Sequence, residues 1–398
     1  MPDTITEPMS VTTSPQRARL EFIDNLRWVM IMLVVSMHAA VTYSHVGSWY
    51  FMEDPKPDGF TTALFATYQI FLQAFFMGLL FLIAGYFVPG PFDRKAFAKF
   101  LRDRFLRLGI PSLLYMLILQ PVIVYWLLRD FANLSRPPLF RAYVPYLTSK
   151  RVLSGSGPMW FALALLLFSV VYGIVRRMRL GSAPTKVPPA QVDSPVPGHR
   201  HIMGLALLMS LCTFLVRVVQ PIGTNIFNMQ LCFFSQYVIL FVAGILAWRR
   251  NWLLRLPYEF GMRWFKLALI AGSLVWVGFL FAILKTHTET MILGGFTWQS
   301  AVLSFWESFF CVGICAGLIV LFREKFNQQG SIARWLSDNS FAVYLFHPFF
   351  LIAVTLMLRG VEAPKPVKFL CATFLGIIVT YLASSLVFRR IPLLKRIL

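Results

Sequence analysis

The stretch that decides the fold is DNLRWVMIMLVVSMHAAVTYSHV, residues 24–46. From Trp28 to Val46 it forms an apolar run that is long enough to cross a bilayer as a helix. A helix is the expected form, because hydrocarbon offers no partner to an unpaired backbone N–H or C=O group. The run also contains His38, a titratable side chain in a costly environment. The stretch therefore predicts a membrane protein that carries a chemical group inside its first span.

The composition extends this interpretation to the whole chain. Hydrophobic residue types make up 58% of the 398 residues and charged types only 14%, whereas an ordinary soluble domain carries about 25% charged residues. This excludes a soluble globular enzyme, a disordered protein and a fibrous one. The predicted fold class is all-α, a polytopic membrane protein with about ten transmembrane helices. The apolar runs are residues 28–46, 62–88, 109–128, 158–175, 202–220, 230–248, 266–284, 298–322, 339–357 and 366–388.

The charge distribution predicts the topology. The formal net charge is +20, but the basic residues lie in short tracts between the apolar runs. If both termini are cytoplasmic, the inner segments carry 26 of the 37 lysines and arginines and the outer segments carry 9, as the positive-inside rule requires. No basic face with interleaved aromatics is left for nucleic acid. The outer segment 129–157 carries five cations, which either bind an anion or show that the rule is statistical.

The chain is expected to form one membrane domain, residues 28–388, between a cytoplasmic N-terminal tail, 1–27, and a cytoplasmic C-terminal tail, 389–398. Residues 176–201 are rich in proline and polar residues, which predicts a flexible inner loop. All five cysteines lie in apolar runs, and no histidine or carboxylate pattern completes a metal site. We therefore expect no metal.

The first run places two ionisable residues on one helical face. Arg27 and His38 are eleven positions apart, which brings them within about 20° of each other around a helix and about 16 Å apart along its axis. Asp24 precedes Arg27 by three positions and is expected to pair with it. In a soluble core, a structural role for His38 would be the better interpretation. In a span with an aligned arginine, we interpret His38 as functional.

The outer end of this run has less specific signals. His45 follows His38 by seven positions and falls on the same face, where a functional role and a simple position at the interface stay open. Tyr43 and Trp49 are aromatic residues of the kind that anchor a helix at the membrane–water interface. We therefore expect this end to lie at the outer membrane surface.

A cluster of arginines precedes the third run. Arg104 and Arg107 are three positions apart, so they share one face of a helix end, and Arg102 lies beside them. Paired guanidinium groups suit the bidentate recognition of phosphate. Ordinary positive-inside topology, or binding of anionic lipid, explains the same residues. Spacing alone leaves these alternatives open.

Two further candidates lie deep in later runs. Glu307, in the eighth run, must be paired or protonated there, and Arg217 in the fifth run is a potential partner. A structural ion pair and a catalytic acid both stay open for Glu307. His347 in the ninth run is a further intramembrane histidine.

An ordered set of motifs resembles a known family. The motifs are Asp24-Asn25-Leu26-Arg27 with ten residues before His38, Arg104-x-x-Arg107 followed by Ile110-Pro111, Met159-Trp160-Phe161, and Tyr344-Leu345-Phe346-His347. They resemble integral membrane acyltransferases of the acyltransferase-3 family, over nearly the whole chain. Within that family the chain is most similar to the glucan biosynthesis protein C group, the osmoregulated periplasmic glucan succinyltransferases. The likeness there includes Ala84-Gly85-Tyr86-Phe87, Arg107-Leu108-Gly109-Ile110-Pro111 and Arg390-Ile391-Pro392-Leu393-Leu394-Lys395.

The resemblance implies a function. It implies O-acyl transfer from cytoplasmic acyl-CoA, either acetyl-CoA or succinyl-CoA, to a glycan hydroxyl outside the bacterial inner membrane. His38 would be the catalytic histidine and Arg27 its motif partner, while Arg104 and Arg107 would contact the donor. We add Glu307 to the catalytic candidates and Arg102 to the donor-binding candidates. Transfer could be direct or could pass through an acyl-histidine.

Two alternatives stay open at this stage. A multi-pass transporter or flippase that exports a glycan or an acylated product would use the same intramembrane charges. An acyltransferase could also act on O-antigen, another exopolysaccharide, a lipid or a small metabolite. The sequence does not predict the oligomeric state.

Overall fold

Ten long helices account for the ten apolar runs. The computed structural model describes residues 19–132, 134–180, 194–395 and 397. Within these residues ten helices are long and apolar enough to cross a membrane, which confirms the predicted all-α fold with ten spans. They are α1 (Glu21–Ser44), α2 (Gly59–Tyr86), α3 (Phe97–Phe131), α4 (Trp160–Leu180), α5 (His199–Val219), α6 (Phe234–Arg249), α7 (Tyr258–Thr286), α8 (Trp298–Lys325), α9 (Ser331–Met357) and α10 (Lys365–Leu386).

Three predicted segments fall partly outside this description. Residues 1–18 of the predicted N-terminal tail, 181–193 of the predicted flexible inner loop, and 396 and 398 of the predicted C-terminal tail lie outside the described residues. The side of the membrane on which the termini lie stays a prediction.

Helix α1 begins at Glu21, before the predicted start at Trp28. Its first turn carries acidic side chains, which the positive end of the helix dipole favours. The Asn25 side chain is also satisfied, because its Nδ2 donates to the carbonyls of Phe326 and Gln328 at 2.8 and 3.0 Å. Hydropathy places the start too late because it does not register polar residues that find partners in the fold.

Helix α3 also extends further upstream than the apolar run predicts. Residues 89–108 were expected to be an inner loop, but they contain a short helix, Pro89–Arg94, and the first turns of α3. Three π-helical segments interrupt α3, and Pro111 and Pro121 lie beside them. Proline has no N–H and clashes with the preceding turn, so a widened turn is a physical way to accommodate it.

The core of the bundle consists of α1, α2, α8 and α9. Between 61% and 72% of the most apolar window of each of these helices is buried, whereas α7 and α10 are each 28% buried. The outer helices expose large apolar side chains such as Leu274 and Phe374. A bilayer would cover these side chains, so α1 lies in the protein interior rather than against lipid.

Helices α2 and α6 cross at two glycines. A Cβ atom added at Gly85 would collide with the carbonyl oxygen of Phe241, and one added at Gly244 would collide with that of Leu82. The two backbones therefore touch directly. Small residues at such crossings are typical of membrane helices, which associate through close packing.

Hydrogen bonds define two ends of the bundle. The start of α1 meets the end of α8 through Asn25, and the Trp335 Nε1 group in α9 donates to Ser385 Oγ near the end of α10. We call this end, where α1 begins and α10 ends, the terminal face. The opposite face contains the α1–α2 loop, 45–58, and the start of α10, which are joined by ion pairs.

Candidate functional site

The ring of His38, the predicted catalytic residue, lies nearly parallel to the rings of Trp49 and His347. The His38 ring lies 3.8 Å from the Trp49 ring and 5.4 Å from the His347 ring, between centroids, with interplanar angles of 13° and 15°. We call these three residues the imidazole site. His38 is half-buried, and its Nδ1 atom is buried without a hydrogen-bond partner in the described part of the chain. The site therefore joins both intramembrane histidines that the sequence singles out.

The His347 ring is held in one orientation by its own helix. Pro348 has no N–H group, so the carbonyl of Tyr344, four residues earlier, lacks its usual helical donor. His347 Nδ1 lies 2.9 Å from this carbonyl oxygen and 3.3 Å from that of Val343. A carbonyl can only accept, so Nδ1 carries the hydrogen. The other nitrogen, Nε2, is then an acceptor, and it is buried without a partner in the described residues.

The α1–α2 loop folds back over His38. Trp49 was expected to anchor the outer membrane surface, but its ring packs on the histidine. Tyr43, also expected at the interface, is completely buried. The expectation for Tyr43 was wrong, because an aromatic residue at the end of an apolar run can turn inward when the following loop returns to the bundle. A position of Trp49 at the membrane interface stays a prediction. His45 contributes to this return, since its Nε2 donates to the carbonyl of Glu53 at 3.0 Å.

A buried ion cluster fastens this loop to α10. Glu53 is only 5% exposed, and its Oε1 atom lies 3.0 Å from Lys365 Nζ and 2.7 Å from Lys368 Nζ. Its backbone N–H also donates to the carbonyl of Thr42 at 2.9 Å. Buried charges are costly without partners, so these contacts hold the loop over the imidazole site.

Hydroxyl and amide groups continue the polar lining beside Trp49. Tyr50 shares a hydrogen bond of 2.8 Å with the Tyr115 hydroxyl and also bonds to Gln120. Burial raises the pKa of the Tyr50 hydroxyl well above its usual value, so this group stays protonated. These side chains line the opposite-face end of the site with groups that donate and accept.

Two arginines meet at the terminal face. Arg27 pairs with Asp24 at 3.1 Å, which confirms the pairing predicted from their spacing, and its guanidinium lies 4.7 Å from the centre of the Phe87 ring. Arg104 donates to the Phe87 carbonyl at 3.2 Å and lies close enough to Arg27 for their charges to repel. We call Arg27 and Arg104 the arginine pair. They converge on Phe87, the residue that follows α2.

The other two predicted donor-binding arginines lie outside this pair. Arg102 and Arg107 are exposed on the first turns of α3. No hydrogen bond or ion pair among the described residues joins either of them to Arg27 or Arg104. The structure therefore brings Arg104 to Arg27 and leaves Arg102 and Arg107 on the exposed surface of α3.

Glu307 lies in a separate buried cluster. Its Oε2 atom lies 2.5 Å from Arg217, whose guanidinium also donates to Ser304 at 3.3 Å and lies over the Phe233 ring. The partner considered from the sequence is thus the one present. No described contact joins Glu307 to His38, so the structure connects it to helices α5 and α8 rather than to the imidazole site.

The imidazole site and the arginine pair share α1. Because α1 is continuous from Glu21 to Ser44, Arg27 and His38 lie about 16 Å apart along its axis, and His38 lies about 9 Å before its end. Helix α1 therefore carries Arg27 at the terminal face and the imidazole of His38 near the opposite face.

Sequence reasoning missed Trp49 and the Glu53 cluster as parts of the site. Glu53 lies in a polar loop, and its partners Lys365 and Lys368 are more than 300 residues away along the chain. The only available signal was Lys368, a cation within an apolar run, which needs a partner.

A comparison with family models identifies the family of the chain. The model of the acyltransferase-3 family, described as an acyltransferase domain, matches residues 20–388. No curated protein and no solved structure matches the chain. The family match covers all ten helices, up to the residues after α10, and includes both the imidazole site and the arginine pair. The chain belongs to the acyltransferase-3 family and is a multi-pass membrane acyltransferase.

Proposed function

We propose that this acyltransferase moves an acyl group from cytoplasmic acyl-CoA to a hydroxyl of a periplasmic or envelope glycan. The observation that carries the proposal is that one buried helix, α1, carries both His38 and Arg27, with Arg104 of α3 beside Arg27 at the terminal face. The terminal face would then be cytoplasmic, as the positive-inside rule favours. We propose that the protein is located in the bacterial inner membrane.

The arginine pair supports donor binding at the terminal face. CoA carries phosphates at one end and its thioester at the end of a long pantetheine arm. Guanidinium groups are strong partners for phosphate. Arg27 and Arg104 both contact Phe87, and Arg107 follows Arg104 by three positions on α3. A donor bound there would extend its arm along α1 toward His38.

His38 supports the transfer step. In this proposal its unprotonated nitrogen takes the proton of the acceptor hydroxyl while the hydroxyl oxygen attacks the thioester carbonyl. The new C–O bond forms, the C–S bond breaks, and the departing CoA thiolate takes the proton from His38. The histidine ends unchanged. Arg27 is too far along the helix to touch the carbonyl, so its role here is to hold the donor.

The side chains at the opposite face support recognition of the acceptor. Trp49 covers His38 from this side, and the hydroxyl and amide groups of Tyr50, Tyr115 and Gln120 lie next to it. Aromatic surfaces next to hydroxyl and amide groups suit a sugar, which has apolar faces and many hydroxyls. The succinyl group that we propose for transfer rests on the resemblance to the glucan biosynthesis protein C group.

The proposal is tested with purified protein, labelled succinyl-CoA and periplasmic glucan. His38→Asn is expected to lower transfer at least about 100-fold, the usual contribution of general base catalysis. The matched control is His287→Asn, in an exposed left-handed position that asparagine tolerates. Full activity of a folded His38→Asn protein would overturn the proposal. Transfer from acetyl-CoA but not succinyl-CoA would retain the mechanism and reject the succinyl assignment.

Donor binding is tested separately. Arg104→Ala is expected to raise the KM for acyl-CoA about tenfold or more, since a charge-assisted hydrogen bond contributes about 1.5–3 kcal/mol. Lys99→Ala removes an exposed charge one turn earlier on α3 and controls for the general loss of positive charge. An equal rise of KM in both variants would reject a specific donor site at the arginine pair.

A further inference from the structure

We propose that His347 is a positioning residue for His38, which extends the proposed function and rests on it. In this arrangement His347 Nε2 accepts a hydrogen bond from His38 Nδ1–H and thereby fixes which nitrogen of His38 is free to act as the base. His347 takes the place that a carboxylate holds in many catalytic triads, as the group that orients the base.

The acceptor character of His347 follows from its own helix. Pro348 leaves the Tyr344 carbonyl without a helical donor, and His347 Nδ1–H supplies one at 2.9 Å. A neutral imidazole has one N–H group and one lone pair, so Nε2 can only accept. The ring is completely buried, which disfavours a second proton. A buried acceptor without a partner costs free energy, so Nε2 needs a donor.

His38 provides the complementary unsatisfied group. Its Nδ1 atom is buried and has no hydrogen-bond partner in the described part of the chain. The two imidazole rings are nearly parallel, with centroids 5.4 Å apart. Catalytic hydrogen bonds are often long without substrate and shorten in the productive complex. A small rotation of the half-buried His38 ring, or one bridging water, would join the two nitrogens.

The bond would decide the tautomer of His38. A free imidazole carries its hydrogen mainly on Nε2, the nitrogen that would have to accept the proton of the hydroxyl. An acceptor facing Nδ1 moves the hydrogen to Nδ1 and exposes the Nε2 lone pair. The Trp49 stack then holds the ring plane while His347 selects the tautomer.

Two substitutions of His347 by an amide side chain distinguish the roles of its two ring nitrogens. Asparagine places its amide near the position of Nδ1, so His347→Asn retains the donor to Tyr344 and loses the acceptor. Glutamine reaches the position of Nε2, so His347→Gln retains the acceptor and loses that donor. Positioning through Nε2 predicts that His347→Asn lowers kcat about 10- to 100-fold, as loss of a partner that orients a histidine does. His347→Gln is expected to keep most of kcat, with KM for acyl-CoA unchanged in both.

The spectroscopic test uses 15N-histidine-labelled wild-type protein and does not depend on activity. His38, assigned from its absence in His38→Asn, is expected to show the Nδ1–H tautomer, and His347→Asn is expected to shift it toward Nε2–H. Trp49→Phe keeps an aromatic stack and removes the indole N–H, the other unpaired donor beside the ring, so it should leave the tautomer unchanged.

Several outcomes would overturn the inference. They are an Nε2–H tautomer of His38 in the wild-type protein, a His347→Asn enzyme with wild-type kcat, equal losses in the Asn and Gln variants, or an equal tautomer shift in Trp49→Phe. If the wild-type protein transfers no acyl group while the Nδ1–H tautomer is present, the proposed function fails and the positioning contact stands.

Discussion

Replacing Glu307 by glutamine distinguishes a structural ion pair from a catalytic acid. In the structure, Arg217 is completely buried and Glu307 is 6% exposed, with 2.5 Å between Nη2 and Oε2. Glutamine has nearly the same shape and retains an oxygen that can accept from the guanidinium. The substitution therefore removes the charge and little else.

The expected loss of stability in Glu307→Gln follows from the burial of the Arg217–Glu307 ion pair. Two unit charges about 4 Å apart attract by about 4 kcal/mol at an effective dielectric constant near 20. Removal of one partner from a buried pair typically costs about 3–5 kcal/mol, because the other charge is left without compensation. Ser304 and the Phe233 ring would still contact Arg217, which favours the lower half of that range. We therefore expect a loss of about 3–4 kcal/mol of stability in Glu307→Gln.

Thermal unfolding of the purified protein in detergent measures this loss, and acyl transfer is assayed on the protein that remains folded. We expect a melting temperature at least about 5 °C lower, with kcat per folded molecule within about twofold of wild type, since no described contact joins Glu307 to His38. Glu324→Gln is the matched control, because Glu324 is an exposed residue of the same helix whose pair with Arg323 is worth little.

The refuting result is specific. A Glu307→Gln protein with wild-type melting temperature and kcat reduced about 100-fold would show that the carboxylate acts in the reaction. The double variant Arg217→Gln, Glu307→Gln completes a double-mutant cycle for this ion pair. It should be more stable than Glu307→Gln alone if the single change leaves the charge of Arg217 uncompensated.

Three further outcomes are expected. Trp49→Ala should lower kcat about 2- to 10-fold by releasing the stacked His38 ring, whose contact is worth about 0.5–1.5 kcal/mol, and an unchanged kcat in steady-state assays would contradict the stack. Gly85→Ala should cost about 1–3 kcal/mol in thermal unfolding because its Cβ meets backbone; an equal effect of Gly278→Ala, which points into open space, would refute the direct helix crossing. Glu53→Gln should cost about 3 kcal/mol by leaving two lysines uncompensated and should speed hydrogen exchange in the α1–α2 loop; unchanged exchange would show that this cluster does not hold the loop.

Most of the fold could be predicted from the sequence, because each apolar run is a local property of about twenty residues. The errors lie at the ends of helices. Residues 21–27 and 97–108 are helical although they are polar, since Asn25 and Arg104 find backbone carbonyls of other segments as partners. Hydropathy measures the preference of a residue for lipid and does not register such contacts.

The candidate site could also be predicted only in part from the sequence. Arg27, Asp24 and His38 follow from the 3.6-residue period of a single helix, so their arrangement on α1 could be predicted. The position of Trp49 depends on how the following loop returns, which Glu53 sets through distant residues of α10. No local pattern carries that information. A charge in an apolar run does indicate that a partner exists, but it does not indicate which one.

Proline at 348 gives the clearest case in which more could have been read from the sequence. A proline inside a helix always frees the carbonyl four residues earlier, and a histidine at the preceding position can reach that carbonyl with Nδ1. The Tyr344-x-x-His347-Pro348 pattern thus predicts a neutral histidine whose Nε2 accepts. What the pattern cannot supply is the donor, because α1 packs beside α9 only in the folded bundle. Acyl transfer to one hydroxyl requires the removal of one proton. One base, His38, is enough for this step, and His347 acts only as a fixed hydrogen-bond acceptor. We infer that the second histidine restricts the chemistry of the first rather than duplicating it.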